Sequence, residues 1–484
     1  MIIILINPQC GPQGLVGRHG NTMVPLPPLG VACIAAVLEK AGHNVTVIDQ
    51  YAENINNNDL VKRIISINPD IVGFSCLTPA MATVKDLSKR IKNACPDTLI
   101  VLGNIHATIF SYSLLEQGIC DFVVHGEGEN AIEKLAGQIA SRGDLRCVPG
   151  ISYLDKKNFI YTGPPAQVED LDALPFPAWH LMPVKAYQAH PIAGVSGIML
   201  PVQAGRGCPY QCSFCSQNAM FKGVRKKSIS RIVDEIEHLH HNFGLENIGF
   251  EDSIFPLSNE QAFEFCDEMI RRGLNKKICW LTETRVDLAK PNLLKRMRQA
   301  GLSMILFGIE SADQEILARC GKSIRPNQSE LAVKAAHSQG IKTLGLYILG
   351  LPGETKDSAK KTIRFALKLD TDFAKFNLAV PYPGSPFFDE HCNLDEDTIE
   401  YHKFSSWYIP QKNEKLLYVP KGISQNELIW LQQIAMAAFW LRPSKILTHL
   451  IKGTIRPHIM WKGFAAILGN LIEVFHRRIT PRTS

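Results

Sequence analysis

No run of about 20 uncharged apolar residues occurs in this chain of 484 residues, which excludes a conventional membrane-spanning helix. A basic leader is missing too. The chain opens Met1-Ile2-Ile3-Ile4-Leu5-Ile6-Asn7-Pro8, an apolar run broken by proline that reads as a first buried strand and not as a secretory signal. A cytoplasmic location is expected, where the 13 cysteines stay reduced and form no disulfide framework. Charge of one sign is scarce over most of the length. The formal net charge is +6, yet Leu441 to Ser484 alone hold Arg442, Lys445, Lys452, Arg456, Lys462, Arg477, Arg478 and Arg482 against Glu473. That tail sums to +7 and leaves −1 for everything before it, so the body has no basic footprint for nucleic acid. The remaining composition is ordinary: 45% apolar and 20% charged, as in soluble globular proteins. At roughly 100–200 residues per domain, two or three domains fit, each long enough to bury a core.

Apolar runs of strand length recur in the first third: Ile2 to Ile6, Val45 to Ile48, Ile71 to Ser75, Leu99 to Leu102 and Phe122 to His125. They are rich in Val and Ile and nearly continuous, as strands covered on both faces are. Helical patterns lie between them. Leu29 to Ala41 has apolar residues at helical spacing and meets Gly42, a C-terminal stop. Alternation of this kind implies a doubly wound parallel sheet, whose ligands sit at the carboxyl ends of the strands. Those ends read Asn7-Pro8-Gln9-Cys10-Gly11, Ser75-Cys76-Leu77-Thr78, Gly103-Asn104-Ile105-His106 and Gly126-Glu127-Gly128-Glu129. Small and hydroxylic residues there let a large ligand approach the backbone. They also suit ordinary turns. Leu171-Asp172-Ala173-Leu174-Pro175-Phe176-Pro177 and Met182-Pro183 are too proline-rich for a helix or central strand. The expected division is 1–163, a linker 164–192, a second domain 193–395 and a helical basic region 396–484.

Cys208-Pro209-Tyr210-Gln211-Cys212-Ser213-Phe214-Cys215 has the spacing C-x3-C-x2-C, and the next cysteine is Cys266. Three thiolates this close converge on one iron–sulfur cluster; cubanes normally take four cysteines, so three leave one iron open. Zinc sites pair two ligand clusters, and no second cluster is present. Strand-like runs then recur at Met199 to Ala204, Asn247 to Glu251, Ile278 to Glu283, Met304 to Ile309, Lys342 to Leu349 and Phe373 to Val380, with helical patterns such as Arg231 to Phe243 between them. Cys33, Cys266 and Cys320 fall in helical patterns and read as core. Cys10 and Cys76 lie at ligand-facing strand ends.

The cysteine spacing, with Phe214 before the last cysteine, resembles the radical S-adenosylmethionine (SAM) superfamily. The resemblance implies a partial (β/α)6 barrel with Cys208, Cys212 and Cys215 holding a [4Fe-4S] cluster and SAM on the open iron. It further implies Glu251 or Asp252 near the SAM amino group, Arg285 at its carboxylate, and Glu310 and Ser311 near its ribose or methionine end. A doubly wound domain ahead of such a barrel resembles the cobalamin-binding subclass. Ser75, Thr78, Gly103, His106, Gly126 and Glu127 would then face cobalamin. The Asp-x-His-x-x-Gly motif of many cobalamin proteins is absent, and the nearest histidine is His19; no histidine ligand to cobalt is expected. The overall expectation is a Rossmann-like α/β domain, a partial barrel and a helical end.

The implied activity is C-methylation of an unactivated carbon in a small, lipid-like or tetrapyrrole-like molecule, with a flavodoxin or ferredoxin as electron donor. The rival is an oxidative cyclase or rearrangement enzyme of the anaerobic porphyrin cyclase type. A non-catalytic cobalamin or iron–sulfur sensor is the reading from another class. In the tail, Ser424-Gln425-Asn426-Glu427 is a capping box ahead of a helix from Leu428 to Leu441, and an apolar run spans Gly463 to Phe475. This region reads as a cap on the barrel mouth or as an interfacial membrane anchor.

Overall fold

The architecture comes from a computed structural model. It describes residues 1–10, 24–189, 195–392, 394–405, 408, 410, 414–451, 455 and 457–479. His19 and Arg482 lie outside these residues, as do Lys452 and Arg456.

The first sheet has seven strands in the order β2-β1-β3-β4-β5-β6-β7. They are β1 (Ile2–Asn7), β2 (Asn44–Asp49), β3 (Ile71–Ser75), β4 (Leu99–Gly103), β5 (Phe122–Val124), β6 (Ile151–Asp155) and β7 (Asn158–Tyr161). The first five pair in parallel, and the β6–β7 hairpin adds antiparallel. The hairpin was not anticipated; its short half-exposed strands lack the Val/Ile run that marks the others. Helix Leu29–Lys40 ends as expected, with Gly42 at φ +84° just beyond it. The chain order changes direction between β1 and β3, the switch point where such sheets bind ligands.

The proline-rich segment is packed, not loose. It makes three 3₁₀ turns. Trp179 and Tyr187 are fully buried, Ala178 N–H donates to Ala32 O, and the Tyr187 hydroxyl donates to Asp49 at 2.9 Å.

The second sheet is six-stranded and parallel, ordered β15-β14-β13-β12-β11-β8. Its members are β8 (Met199–Val202), β11 (Asn247–Phe250), β12 (Cys279–Thr284), β13 (Leu302–Glu310), β14 (Lys342–Leu349) and β15 (Phe373–Leu378). A ribbon of β9 (Gly205–Arg206) and β10 (Arg225–Lys226) projects from it. Helix Ile229–Phe243 shows why the outer layer forms: Ser228 caps it, Gly244 ends it at φ +63°, and Ile232, Val233, Ile236 and Leu239 are buried. Successive side chains alternate between faces of a strand. Through the register, Gly249, Leu281, Met304, Leu306, Leu344, Leu346, Phe373 and Lys375 share the inner face.

The C-terminal region departs from expectation in its position. Helix Gln425–Trp440 covers the β15 edge, where Gln432 and Trp440 donate to the Phe376 and Ala374 carbonyls. The terminal helix Pro457–Ile479 brings Met460 and Phe464 against Met304, Leu344 and Phe373, with Leu281, Leu306 and Leu346 beside them. These inner residues sit at the amino ends and middles of their strands. The helix therefore closes the barrel floor, not its mouth, because that is where the inner face is apolar.

Candidate active site

The cysteine loop leaves the carboxyl end of β8 and is held on every side. Asp252, just past β11, accepts from Ala204 N–H at 2.8 Å and Gly205 N–H at 2.7 Å. Gly207 sits at φ +86°, and a Cβ there would fall 1.8 Å from the Gly223 carbonyl oxygen, so only glycine lets the ribbon close. Inside the loop, Ser213 N–H donates to Cys320 O, and Phe387 N–H donates to Ser213 O. Phe214 packs into the apolar cluster of Ile316, Cys320, Leu351, Ala379 and Phe387; it anchors the loop. The three cysteines are partly exposed. Burial raises the Cys212 and Cys215 thiols, and Lys322 opposes that rise at both. The loop offers three free, partly exposed thiols from one C-x3-C-x2-C segment, the donor set that iron–sulfur clusters take. The loop fits a [4Fe-4S] cluster.

Charged groups ring the inner face beside the loop. Glu310 closes β13 at φ +61°, where the register with β14 shifts, and pairs with Lys322 at 2.6 Å. Glu283 lies on the inner face of β12; burial first, then Glu310, pushes its carboxyl up to about 7. Burial lowers Lys375 to about 8. Burial alone raises Glu251. Alternation from Leu281 through Glu283 predicts that Glu283 faces inward; the sequence reading overlooked it. Lys322 and Lys375 carry no local motif and were missed.

Three residues expected at SAM are engaged elsewhere. Asp252 clamps the backbone as described. Arg285 pairs with Asp287 at 3.0 Å through two nitrogens and stacks 3.7 Å over the Tyr210 ring of the cysteine loop. Ser311 is buried with its hydroxyl 3.1 Å from that of Thr362.

A cavity of about 1060 Å³ separates the two sheets, larger than most drug-sized sites. Asn7, Cys10, Ser75, Gly103, Gly126 and Glu127 line it from the first domain. Gln203, Arg206, Glu251, Asp252 and Ser253 line it from the barrel. Its wall is open where a corrin ring needs access: a Cβ on Gly103 would meet only the Val124 carbonyl oxygen at 3.9 Å. Thr78 and His106 do not line it. Asn104 starts a helix directly after β4 with φ +77°, and the turn buries His106 behind the strand ends. Its Nδ1 is 3.2 Å from the Thr78 hydroxyl, and its Nε2 lies 3.6 Å from Glu396. Glu396 also receives Lys85 at 2.8 Å and the Tyr401 hydroxyl. Burial opposes ionisation of Glu396, but these donors hold its carboxyl down at about 2.

Across the cavity the two domains are clasped by buried ion pairs. Arg206 donates to Glu127 at 2.8 Å, Glu129 at 2.5 Å and Gln203 at 3.1 Å. Arg225 also pairs with Glu127 and donates to Val168 O at 2.6 Å. Burial would raise the Glu127 carboxyl, yet the two guanidiniums outweigh it and hold it below its ordinary value. Glu127 is therefore a brace as well as a wall.

Family comparisons agree with this geometry. A B12-binding domain model matches residues 20–136, and a radical SAM superfamily model matches residues 202–366. An uncharacterized methyltransferase of Pyrococcus horikoshii is 35% identical over 458 residues, 93% of this chain and 95% of the relative. The anaerobic magnesium-protoporphyrin IX monomethyl ester cyclase of Cereibacter sphaeroides is 31% identical over 410 residues, 83% of this chain and 65% of the relative. Among solved structures, the radical SAM methyltransferase TsrM of Kitasatospora setae, with cobalamin and a [4Fe-4S] cluster bound, superposes with a TM-score of 0.69 at 17% identity, covering 92% of this chain and 89% of its own. The chain belongs to the radical SAM superfamily of enzymes, in the subclass that carries a cobalamin-binding domain. Its cofactors are a [4Fe-4S] cluster, SAM and cobalamin.

Proposed function

We propose that this enzyme transfers a methyl group to an unactivated carbon of a small-molecule substrate. The observation that carries the reading is the single cavity shared by the strand ends of the first domain and by Gln203, Glu251 and Ser253 at the cysteine end of the barrel. The methyltransferase relative supports it. When bound, cobalamin supplies a methyl carrier and the cluster supplies the electron that cleaves SAM to methionine and a 5′-deoxyadenosyl radical. The protein's part is positioning and exclusion of water. Cys208, Cys212 and Cys215 hold the cluster. Glu251 and Glu283 present carboxylates to the SAM amino group, with Glu310 held beside them by Lys322. Arg285, paired with Asp287, stiffens the cysteine loop through Tyr210. Ser75, Gly103 and Gly126 offer a small-residue surface to cobalamin. A flavodoxin or ferredoxin delivers the electron, and the basic C-terminal region contacts an anionic membrane surface.

Methyl transfer through cobalt consumes two SAM molecules with different fates. S-adenosylhomocysteine and 5′-deoxyadenosine should therefore form in about equal amounts with the true substrate, and label from the SAM methyl should enter the product. Cys208→Ser, Cys212→Ser or Cys215→Ser should abolish 5′-deoxyadenosine and cluster absorbance. The cyclase relative favours a second reading. 5′-Deoxyadenosine without S-adenosylhomocysteine, together with an unmethylated cyclised product, would establish it instead.

A further inference from the structure

Two C-terminal helices are more apolar than the fold needs. The terminal helix Pro457–Ile479 spends one face, with Met460, Phe464 and Ile467, on the barrel floor. A surface helix of a globular protein has polar residues opposite such a stripe. Here Trp461, Leu468 and Ile472 occupy a second stripe, at i, i+7 and i+11, and all three are exposed, Trp461 by 68%. The preceding helix Pro443–Ile451 exposes Leu447, Leu450 and Ile451, the last by 76%. Exposed large apolar residues scattered singly are normal, whereas a contiguous set marks an interaction site.

The charge of the region selects the partner. No Asp or Glu occurs from Leu441 to Ile472. Arg442 and Lys445 are committed to the fold: both pair with Asp370, and Lys445 donates to the Asp370 and Thr371 carbonyls. That leaves Lys452, Arg456, Lys462, Arg477, Arg478 and Arg482 against Glu473, a surplus of five. Lys462 is exposed directly beside Trp461. A two-fold pairing of this face with a second copy would set like charge on like charge. An anionic leaflet complements both the charge and the apolar stripe. No described helix is long and apolar enough to cross a membrane; a leaflet contact made by these helices would lie in the interface plane, with Trp461 at headgroup level.

We propose that the exposed faces of helices Pro443–Ile451 and Pro457–Ile479 form a docking surface for an anionic lipid leaflet, with Trp461, Leu468, Ile472 and Ile451 as its apolar contacts and Lys462 in its basic rim. This rests on the membrane reading of the C-terminal region and is independent of methyl transfer.

The test is co-sedimentation of the full-length holoenzyme with vesicles of phosphatidylcholine alone and of phosphatidylcholine mixed with phosphatidylglycerol. The wild type should partition onto the mixed vesicles and far less onto the neutral ones. Trp461→Ser/Leu468→Ser/Ile472→Ser should abolish partitioning, and because these side chains are exposed the fold should persist. Lys462→Glu should lower partitioning at least about fivefold, the factor one basic residue near an anionic surface contributes, and added salt should shrink that difference. 5′-Deoxyadenosine production in vesicle-free solution should stay unchanged in both variants; its failure in the wild type would count against the proposed activity and not against docking. Equal partitioning of wild type and triple variant, or none by either, overturns the proposal. So does a shift from dimer to monomer in the triple variant with no vesicle binding by the wild type, which would assign the face to a second copy.

Discussion

Replacing Arg206 with methionine tests whether the two domains are held by buried charge. Arg206 is 6% exposed, and its partners Glu127 and Glu129 are 2% and 6% exposed. Arg206→Met keeps most of the side-chain volume but removes the cation. Glu127 retains Arg225, whereas Glu129 is left buried without its guanidinium. Breaking one side of a buried pair costs about 3–5 kcal/mol. The control is Arg271→Met, which breaks the pair with Glu268 from a side chain 68% exposed and should cost about 0–1 kcal/mol. Urea unfolding of the two variants reads the difference. Adding Glu129→Gln to Arg206→Met should recover part of the loss, with a coupling of roughly 0.5–3 kcal/mol in the double-mutant cycle. The sign with pH follows from Glu127, whose carboxyl is held below its ordinary 4.5. Its contribution is complete above about 4.5 and is lost as pH falls toward the folded value, so the gap between wild type and Arg206→Met should narrow in acid. Equal losses for Arg206→Met and Arg271→Met, or strict additivity in the cycle, would refute the clasp.

Gly207→Ala should prevent cluster assembly, measured as iron and sulfide content, because its Cβ would overlap the Gly223 carbonyl; full cluster content would refute that constraint. Electron paramagnetic resonance of the Co(II) form should show no nitrogen hyperfine splitting, and His106→Ala should leave the spectrum unchanged, since His106 is buried beside Thr78 and Glu396 and no histidine is among the described residues lining the cavity. Glu354→Gln should gain on wild type in urea midpoint between pH 5 and pH 8. Burial raises this carboxyl to about 7 from 4.5, so the unfolded chain ionises first and wild-type stability falls across that window, while the amide still accepts from Gly350 N–H. An unchanged difference between the two pH values would contradict it.

The cysteine loop and both parallel sheets were legible because their signals are local. Three cysteines within eight residues, and Val/Ile runs of strand length, need no knowledge of what folds against them. The expected strands lie within a few residues of those observed. What escaped was set by contacts distant in the chain. Arg206 stands two residues before Cys208, but its partners are 79 and 77 residues upstream, and no periodicity links them. His106 looked like a cavity residue from its position after β4; the positive φ of Asn104, a backbone choice invisible in composition, turned it inward. Arg285 and Asp252 lie at the strand ends where the family pattern puts them, yet Arg285 is paired with Asp287 and Asp252 is taken by the Ala204 and Gly205 backbone. The tail was legible as one helix and one apolar run with excess basic charge, while helix Pro443–Ile451 was missed. Its place at the barrel floor was not, because the apolar inner face it covers is assembled from four separate strands.

The Glu396 knot has a kinetic consequence. Lys85 and His106 belong to the first domain, while Glu396 and Tyr401 follow the barrel, so the chain returns to grip the cobalamin domain a second time. The clasp at Arg206 grips it from the ribbon side. With two independent fastenings, the gap between the domains is a set width and not a hinge. A corrin seated there should therefore be released faster when a fastening is removed, as in Arg206→Met, measured as the rate of cobalamin loss on dilution.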